Sequence, residues 1–145
     1  MGKPQMWIMK ITPDESYKTK EIFEGLFLGD NPKNVIGWDG EEEGNFQRFM
    51  DHWQSMKNGD VVVIMEGLSK SLGAVLITSE PFEGKGNSID WFRYRRKAKL
   101  IKAFDPPLEH KISTNRDRIM KESGNNAKKI IKEVWNIIKD DYQKI

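Results

Sequence analysis

Two kinds of hydrophobic spacing divide the chain into strands and helices. Short, continuous or alternating apolar runs predict β-strands over residues 6–11, 61–66 and 71–78. Apolar residues at helical spacing predict helices over residues 19–28, 45–57 and 125–144. In the first run, Trp7, Met9 and Ile11 share one face of the strand. The second and third runs are separated by a short turn and are expected to form a hairpin, with Gly73 at a bulge or a close approach of two backbones.

The stretch 89–102, IDWFRYRRKAKLIK, combines strand character with a high density of positive charge. Alternation places Phe92, Tyr94 and Arg96 on a mostly apolar face, whereas the other face is basic and carries Trp91, Arg93, Arg95, Lys97 and Lys99. Such a face can hold an anionic chain, or it can protect the edge of a sheet from aggregation. The Asp105-Pro106-Pro107 segment is expected to end this strand, and residues 116–122 are expected to form a short helix.

A glycine-flanked tryptophan, Trp38, stands in the segment 35–40, VIGWDG, which we predict to be a loop. A tryptophan outside any apolar stripe is a candidate for contact with a planar ligand, with Asp39 beside it as a polar contact. The alternative is that Trp38 covers the core beneath the loop.

Composition limits the chemistry that the chain can perform. The net charge is +2, but residues 1–60 carry −4 and residues 61–145 carry +6, so the second part favours an anionic partner. The chain has no cysteine, two histidines that form no metal-binding pair, and no phosphate-binding loop motif. We therefore predict a binding protein that is not an enzyme and uses no metal or cofactor. The lack of a signal peptide and of a long apolar segment predicts a cytoplasmic protein without membrane contact.

The order of WIMKIT, IGWDG, NGDVVVIMEG, LGAVLIT and SIDWFRYRRKAKL resembles EVE and YTH domains of the PUA-like superfamily over roughly residues 5–104. It is most similar to the EVE-like N-terminal domains of McrBC-type restriction systems, which read modified DNA. The resemblance implies an α+β fold with a small, strongly bent mixed β-sheet, or pseudo-barrel, flanked by helices and followed by a C-terminal amphipathic helix. Residues 1–110 would form the reading domain, and residues 111–145 a helical extension that packs on it or leads to a further domain.

The resemblance also implies a site in which one flipped base enters an aromatic cage. By this similarity Trp38 supplies one wall, Asp39 bonds the base edge, and the end of the first strand contributes polar contacts. The second wall is left open between Phe82 and Trp7, and an incomplete cage is the third alternative. The predicted base-binding residues are Trp38, Asp39, Trp7, Lys10, Thr12, Phe82 and Trp91. The predicted phosphate-binding residues are Arg93, Arg95, Arg96, Lys97 and Lys85.

The sequence therefore predicts a reader of modified bases, with methylated DNA favoured over RNA, in the targeting module of a modification-dependent restriction system. Its partner would be nucleic acid, and the chain would be fused to or associated with an NTPase or nuclease. Three alternatives stay open: a YTH-like reader of modified RNA, a module that binds a small molecule or nucleotide in the same cavity, and a protein-interaction module that docks through the C-terminal helix.

Overall fold

The computed structural model describes residues 2–11, 19–40, 44–84 and 92–145. It contains three helices and seven strands within these ranges. In chain order they are β1 (Met6–Met9), α1 (Thr19–Phe27), β2 (Val35–Trp38), α2 (Phe46–Ser55), β3 (Val61–Glu66), β4 (Lys70–Ile77), β5 (Phe82–Glu83), β6 (Tyr94–Glu109), β7 (Ile119–Lys121) and α3 (Asn125–Gln143).

The described strands form one mixed sheet in the order β2-β6-β4-β3-β1-β7, with β5 also paired to β6. β1 runs parallel to β3, and the other pairings are antiparallel. β3 is flanked by strands on both sides and buried over most of its length, as its nearly continuous apolar sequence predicts. The predicted hairpin of β3 and β4 is confirmed.

The sheet separates two hydrophobic clusters. Trp7 and Met9 of β1 point into the cluster that α1 and α2 cover, and Ile11 joins them there, which confirms the predicted alternation. Met6 and Ile8 point to the opposite side, where they contact the cluster that the apolar face of α3 completes. Both β7, which pairs with β1, and α3 are therefore packed into the same sheet-and-helix unit.

Gly73 allows β4 and β6 to come close together, as predicted. A Cβ at this position would lie 2.6 Å from the carbonyl oxygen of Lys102, and the register of the two strands shifts beside it. On β6 the pairing passes from Ala103 directly to Leu108, so the prolines lie in an irregular segment that needs no donor for the ladder. The prediction that the strand ends at Asp105 is therefore wrong, because β6 continues to Glu109 with a cis peptide bond before Pro106.

Two other short segments differ from their sequence-based predictions. The segment 35–38 was expected to be a loop but forms β2, because it pairs in antiparallel register with β6. The segment 116–122 was expected to be helical but contains β7, because pairing with the edge of β1 buries Ile119 and Met120. In both cases the segment is too short for its local sequence to determine its conformation, and pairing with a strand that is distant in the sequence makes it a β-strand.

A buried polar contact links the end of β6 to α3. The Nε2 atom of His110 lies 2.7 Å from the Oγ atom of Ser71, and Nδ1 contacts the carboxylate of Glu133. The Ser71 hydroxyl is completely buried, so this Ser-His-Glu arrangement connects β4, β6 and α3 rather than presenting a nucleophile to solvent. Across the described residues, no helix combines the length and hydropathy needed to cross a bilayer.

Candidate functional site

Trp38 lies at the end of β2 within a group of four aromatic rings, which we call the aromatic cluster: Trp38, Phe46, Phe49 and Tyr94. The ring centroid of Trp38 is 5.5 Å from that of Tyr94 and 5.9 Å from that of Phe46, and Phe49 meets it edge-on at 6.4 Å. The β2–β6 register places Trp38 opposite Tyr94, while the start of α2 brings the two phenylalanines. Trp38 is therefore held by two strands and a helix.

The glycines on both sides of Trp38 permit this packing. A Cβ at Gly37 would lie 2.6 Å from the carbonyl oxygen of Tyr94 and 2.7 Å from Cγ of Phe92. Gly40 has a positive φ of 77° and lies directly against the ring of Tyr94. The glycine-flanked motif thus reflects close approach of β2 and its following turn to β6.

The indole N–H of Trp38 is a buried hydrogen-bond donor that has no acceptor among the described residues. Trp38 is only 1% exposed, and its Nε1 atom has no hydrogen-bond partner within the described part of the chain. An unmet buried donor costs about 1–3 kcal/mol, so it needs an explanation. Within the described ranges, Nε1 of Trp53 and Nη2 of Arg96 are also buried without a hydrogen-bond partner, but neither residue belongs to the aromatic cluster. Asp39, next to Trp38, is partly buried and already takes part in an interaction.

The rings beside Trp38 differ from those that the sequence suggested as a second wall. Trp7 donates from Nε1 to Asp60 at 3.0 Å, and its ring lies 5.8 Å from that of His52. Phe82 is 40% exposed in β5, where it pairs with Arg95. Among the described residues, no ring contact joins either of them to Trp38.

Phe46 and Tyr94 are instead the neighbours of Trp38, and sequence reasoning missed both. The apolar spacing over residues 45–57 accounts for Phe46 as a helix residue, and the alternation over residues 89–102 accounts for Tyr94 as part of the apolar face of a strand. Only the β2–β6 register and the position of α2 bring them to Trp38. Their aromatic character was the available signal, but nothing local indicated which rings would meet.

The remaining predicted base-binding residues are distributed as follows. Lys10 is partly buried, and its Nζ atom donates to the carbonyl oxygen of Asn115 at 2.6 Å. Thr12, Trp91 and the predicted phosphate ligand Lys85 lie outside the described residues.

Exposed positive charges lie directly before β6 and along it, and the first of them, Arg93, contacts the aromatic cluster. The guanidinium of Arg93 stands 5.2 Å above the ring of Tyr94 and forms an exposed ion pair with Glu83, with 3.3 Å between Nε and Oε1. Lys97 and Lys99 are exposed further along the strand, and Lys97 is opposite Val35 of β2. Arg93 therefore presents an exposed cationic group to an anion next to Tyr94, and Lys97 and Lys99 present two more along β6.

Arg95 and Arg96 are both buried. Arg96 lies on the face that the alternation predicts to be mostly apolar, whereas Arg95 belongs to the predicted basic face, which is therefore smaller than expected. The Nε atom of Arg95 donates to the carbonyl oxygen of Phe92 at 2.7 Å, and Gly84 packs against its guanidinium. Arg96 is 0% exposed and bonds main-chain carbonyls at the end of α2. Burial lowers the pKa of Arg96. Because both side chains are buried, neither presents an exposed guanidinium to a phosphate in this conformation.

A polar cleft of about 730 Å³ lies between α2, β7 and the beginning of α3. Arg48 donates to both carboxylate oxygens of Asp117 there, at 2.7 and 3.1 Å. Burial, followed by the charges of Lys121 and Arg48, lowers the pKa of His52 on the cleft wall. The sequence did not indicate this cleft, since three separate elements form it. The described residues contain no cluster of His, Cys, Asp or Glu suited to a metal ion.

No protein-family model matches the chain, and no curated protein sequence matches it. Among solved structures, it is similar to the YTH domain of the Zygosaccharomyces rouxii MRB1 protein, which was solved in complex with N6-methyladenosine RNA. The two are 14% identical, with 95% of this chain and 92% of that chain covered and a TM-score of 0.53. It is also similar to the protein PSPTO5229 from Pseudomonas syringae, at 15% identity, with 88% of this chain and 98% of that chain covered and a TM-score of 0.50.

At these levels of identity the similarity establishes the fold. The chain has a YTH-like α+β fold in which a curled, half-barrel mixed sheet carries three helices, including the one at the C-terminal end. The fold class predicted from the sequence is confirmed.

Proposed function

We propose that this protein is a reader of modified nucleic acid that stacks one flipped base on Trp38, and that its principal target is methylated DNA. The observation that carries the proposal is the aromatic cluster, in which the rings of Phe46, Phe49 and Tyr94 surround Trp38 at centroid distances of 5.9, 6.4 and 5.5 Å. Aromatic side chains are the groups on which flipped bases stack in proteins that read single bases. The solved YTH domain with this fold, bound to RNA that contains N6-methyladenosine, supports a similar role here.

Favourable binding of a flipped base requires both stacking on an aromatic ring and contacts between cationic side chains and phosphates. Flipping a base costs a few kcal/mol, and stacking on an aromatic side chain returns about 1–3 kcal/mol. A methyl group adds buried apolar surface worth on the order of 1 kcal/mol. Because these terms nearly cancel, contacts to the phosphate backbone must supply the remaining affinity. Arg93, which directly precedes β6, and Lys97 within β6 are both exposed, and we assign this role to them.

In this proposal the protein binds without catalysing a reaction. It acts in the cytoplasm as the targeting module of a modification-dependent restriction system, fused to or associated with an NTPase or nuclease that cuts the DNA. The fold provides recognition, and the associated enzyme provides the chemistry.

RNA is the second candidate target, because the solved YTH domain with this fold was bound to RNA. Competition between DNA and RNA probes of one sequence, each with and without the methyl group, distinguishes the two targets. A DNA reader retains its methylated DNA when excess methylated RNA is added, whereas an RNA reader releases it.

The direct test is fluorescence anisotropy with methylated and unmethylated probes. We expect methylated probes to bind more tightly, and Trp38→Ala to abolish that difference. Trp135→Ala is the matched control, since Trp135 packs against Tyr142 on the opposite side of the sheet. Arg93→Gln should weaken all probes and reduce the dependence of affinity on salt, because it removes one exposed cation. Equal affinity for every probe, unchanged by a folded Trp38→Ala variant, refutes the proposal.

A further inference from the structure

The face of Trp38 that a base would use is covered in this conformation. Trp38 is 1% exposed, whereas Phe46 is 38% exposed and is the most exposed ring of the aromatic cluster. The two rings are tilted by 32° relative to each other, with centroids 5.9 Å apart. Of the rings in contact with Trp38 in the aromatic cluster, Phe46 is thus the one most exposed to solvent.

A base cannot enter the aromatic cluster without moving one of its rings. Stacked bases are about 3.4 Å apart, so a base between two parallel rings needs roughly twice that separation. The Trp38–Phe46 and Trp38–Tyr94 centroid distances, 5.9 and 5.5 Å, are both shorter. Phe46 and Tyr94 are themselves only 6.3 Å apart, so the three rings close a triangle.

Phe46 is the ring with the weakest attachment. It is the first residue of α2, and the preceding Asn45 makes no side-chain capping bond to the helix. Tyr94, by contrast, lies in the sheet, where Arg93 stacks on one side of its ring and Gly40 packs against it. Phe49 is buried beneath Arg48. Moving Phe46 therefore disturbs the fewest contacts.

We propose that Phe46 is a displaceable cover that occupies the stacking position on Trp38 in the free protein and gives way to the bound base. The proposal rests on the reader function given above. The contact with Phe46 also keeps the aromatic face of Trp38 out of water when no target is bound. Binding must then break the Phe46–Trp38 contact, so the cover lowers the affinity for every base by the same amount. Only the bases that stack best on Trp38 then bind strongly.

The first test needs no nucleic acid. In Phe46→Ala the indole N–H of Trp38 should exchange with solvent faster than in wild type, as followed by NMR, with Trp38→Phe identifying its resonance. Ile137→Ala is the control, since Ile137 is 42% exposed on α3. An unchanged exchange rate in a folded Phe46→Ala variant overturns the cover, whatever the protein binds.

The second test uses the methylated probe. An aromatic pair is worth about 0.5–1.5 kcal/mol, which corresponds to roughly 2- to 12-fold in affinity. Phe46→Ala should therefore bind the methylated probe about 2- to 12-fold more tightly than wild type. Weaker binding would make Phe46 a wall of the cage, and unchanged binding would place it outside the base's path; either result overturns the cover.

The two tests separate this proposal from the reader function. If Phe46→Ala exposes Trp38 but neither wild type nor Phe46→Ala binds any probe, the reader function fails, and displacement by a base fails with it. If wild type discriminates methylated probes while Phe46→Ala weakens binding, the reader function stands and only the cover is refuted.

Discussion

Replacing Arg96 by methionine is the sharpest test of how β6 uses its charges. The Arg96 guanidinium joins two parts of the fold: Nε donates to the carbonyl oxygen of Ser79 at 3.1 Å, and Nη1 donates to those of Trp53 and Met56 at 3.0 and 2.7 Å. The last two carbonyls belong to the end of α2, where the helix has no further amide donors of its own. Methionine preserves much of the apolar stem and removes only the donors.

The expected loss of stability follows from these contacts. Hydrogen bonds to a charged group contribute about 1.5–3 kcal/mol each, and buried carbonyls left without donors add a further penalty. Part of this loss is offset because the folded state no longer has to bury a cation, a cost that also lowers the pKa of Arg96. We therefore expect Arg96→Met to lower the free energy of unfolding by about 3 kcal/mol. With a urea dependence of about 2 kcal/mol per molar, the midpoint falls by roughly 1.5 M.

Urea unfolding followed by far-UV circular dichroism measures this shift. The control is Lys97→Met, which removes the neighbouring but exposed cation and should change stability by no more than about 0.5 kcal/mol. If Arg96 were a phosphate ligand, Arg96→Met would leave the midpoint unchanged and weaken nucleic-acid binding. Equal midpoints for the two variants would refute the structural role of Arg96.

Two further predictions concern the packing of β2 and the charge of the cleft. Gly37→Ala should lower the free energy of unfolding by about 2 kcal/mol, since its Cβ would lie 2.6 Å from the Tyr94 carbonyl oxygen. In the same urea titration, Gly25→Ala, at an open position of α1, should raise the free energy of unfolding by about 0.5 kcal/mol. Equal effects would contradict the close approach of β2 and β6. Burial and then Lys121 hold the pKa of His52 below 6.5, so its neutral form stabilises the fold above pH 6.5, and this contribution is lost as pH falls through the lowered pKa. His52→Gln should therefore lose less stability than wild type on acidification, and parallel pH profiles would disprove this.

Local pattern was sufficient for the elements that are long or uniformly apolar. The spacing of apolar residues predicted α3 almost to its ends, and the run VVVIME identified β3 as a central strand. These segments carry enough periodic residues that burial of one face, or of both, leaves a single favourable conformation. The shorter β2 and β7 were missed, because their few residues become strands only by pairing with β6 and β1.

The site shows the same division between local and distant information. The sequence by itself determined that Trp38, flanked by glycines and followed by a carboxylate, was unlike the other tryptophans, and that positive charge was concentrated on one strand. Only the tertiary structure decided that Phe46 and Tyr94 would surround Trp38 and that Arg95, on the predicted basic face, would be buried. The physical reason is that composition and spacing describe what each element can present, whereas ring contacts and burial depend on strand register and helix position, which bring together residues far apart in the chain.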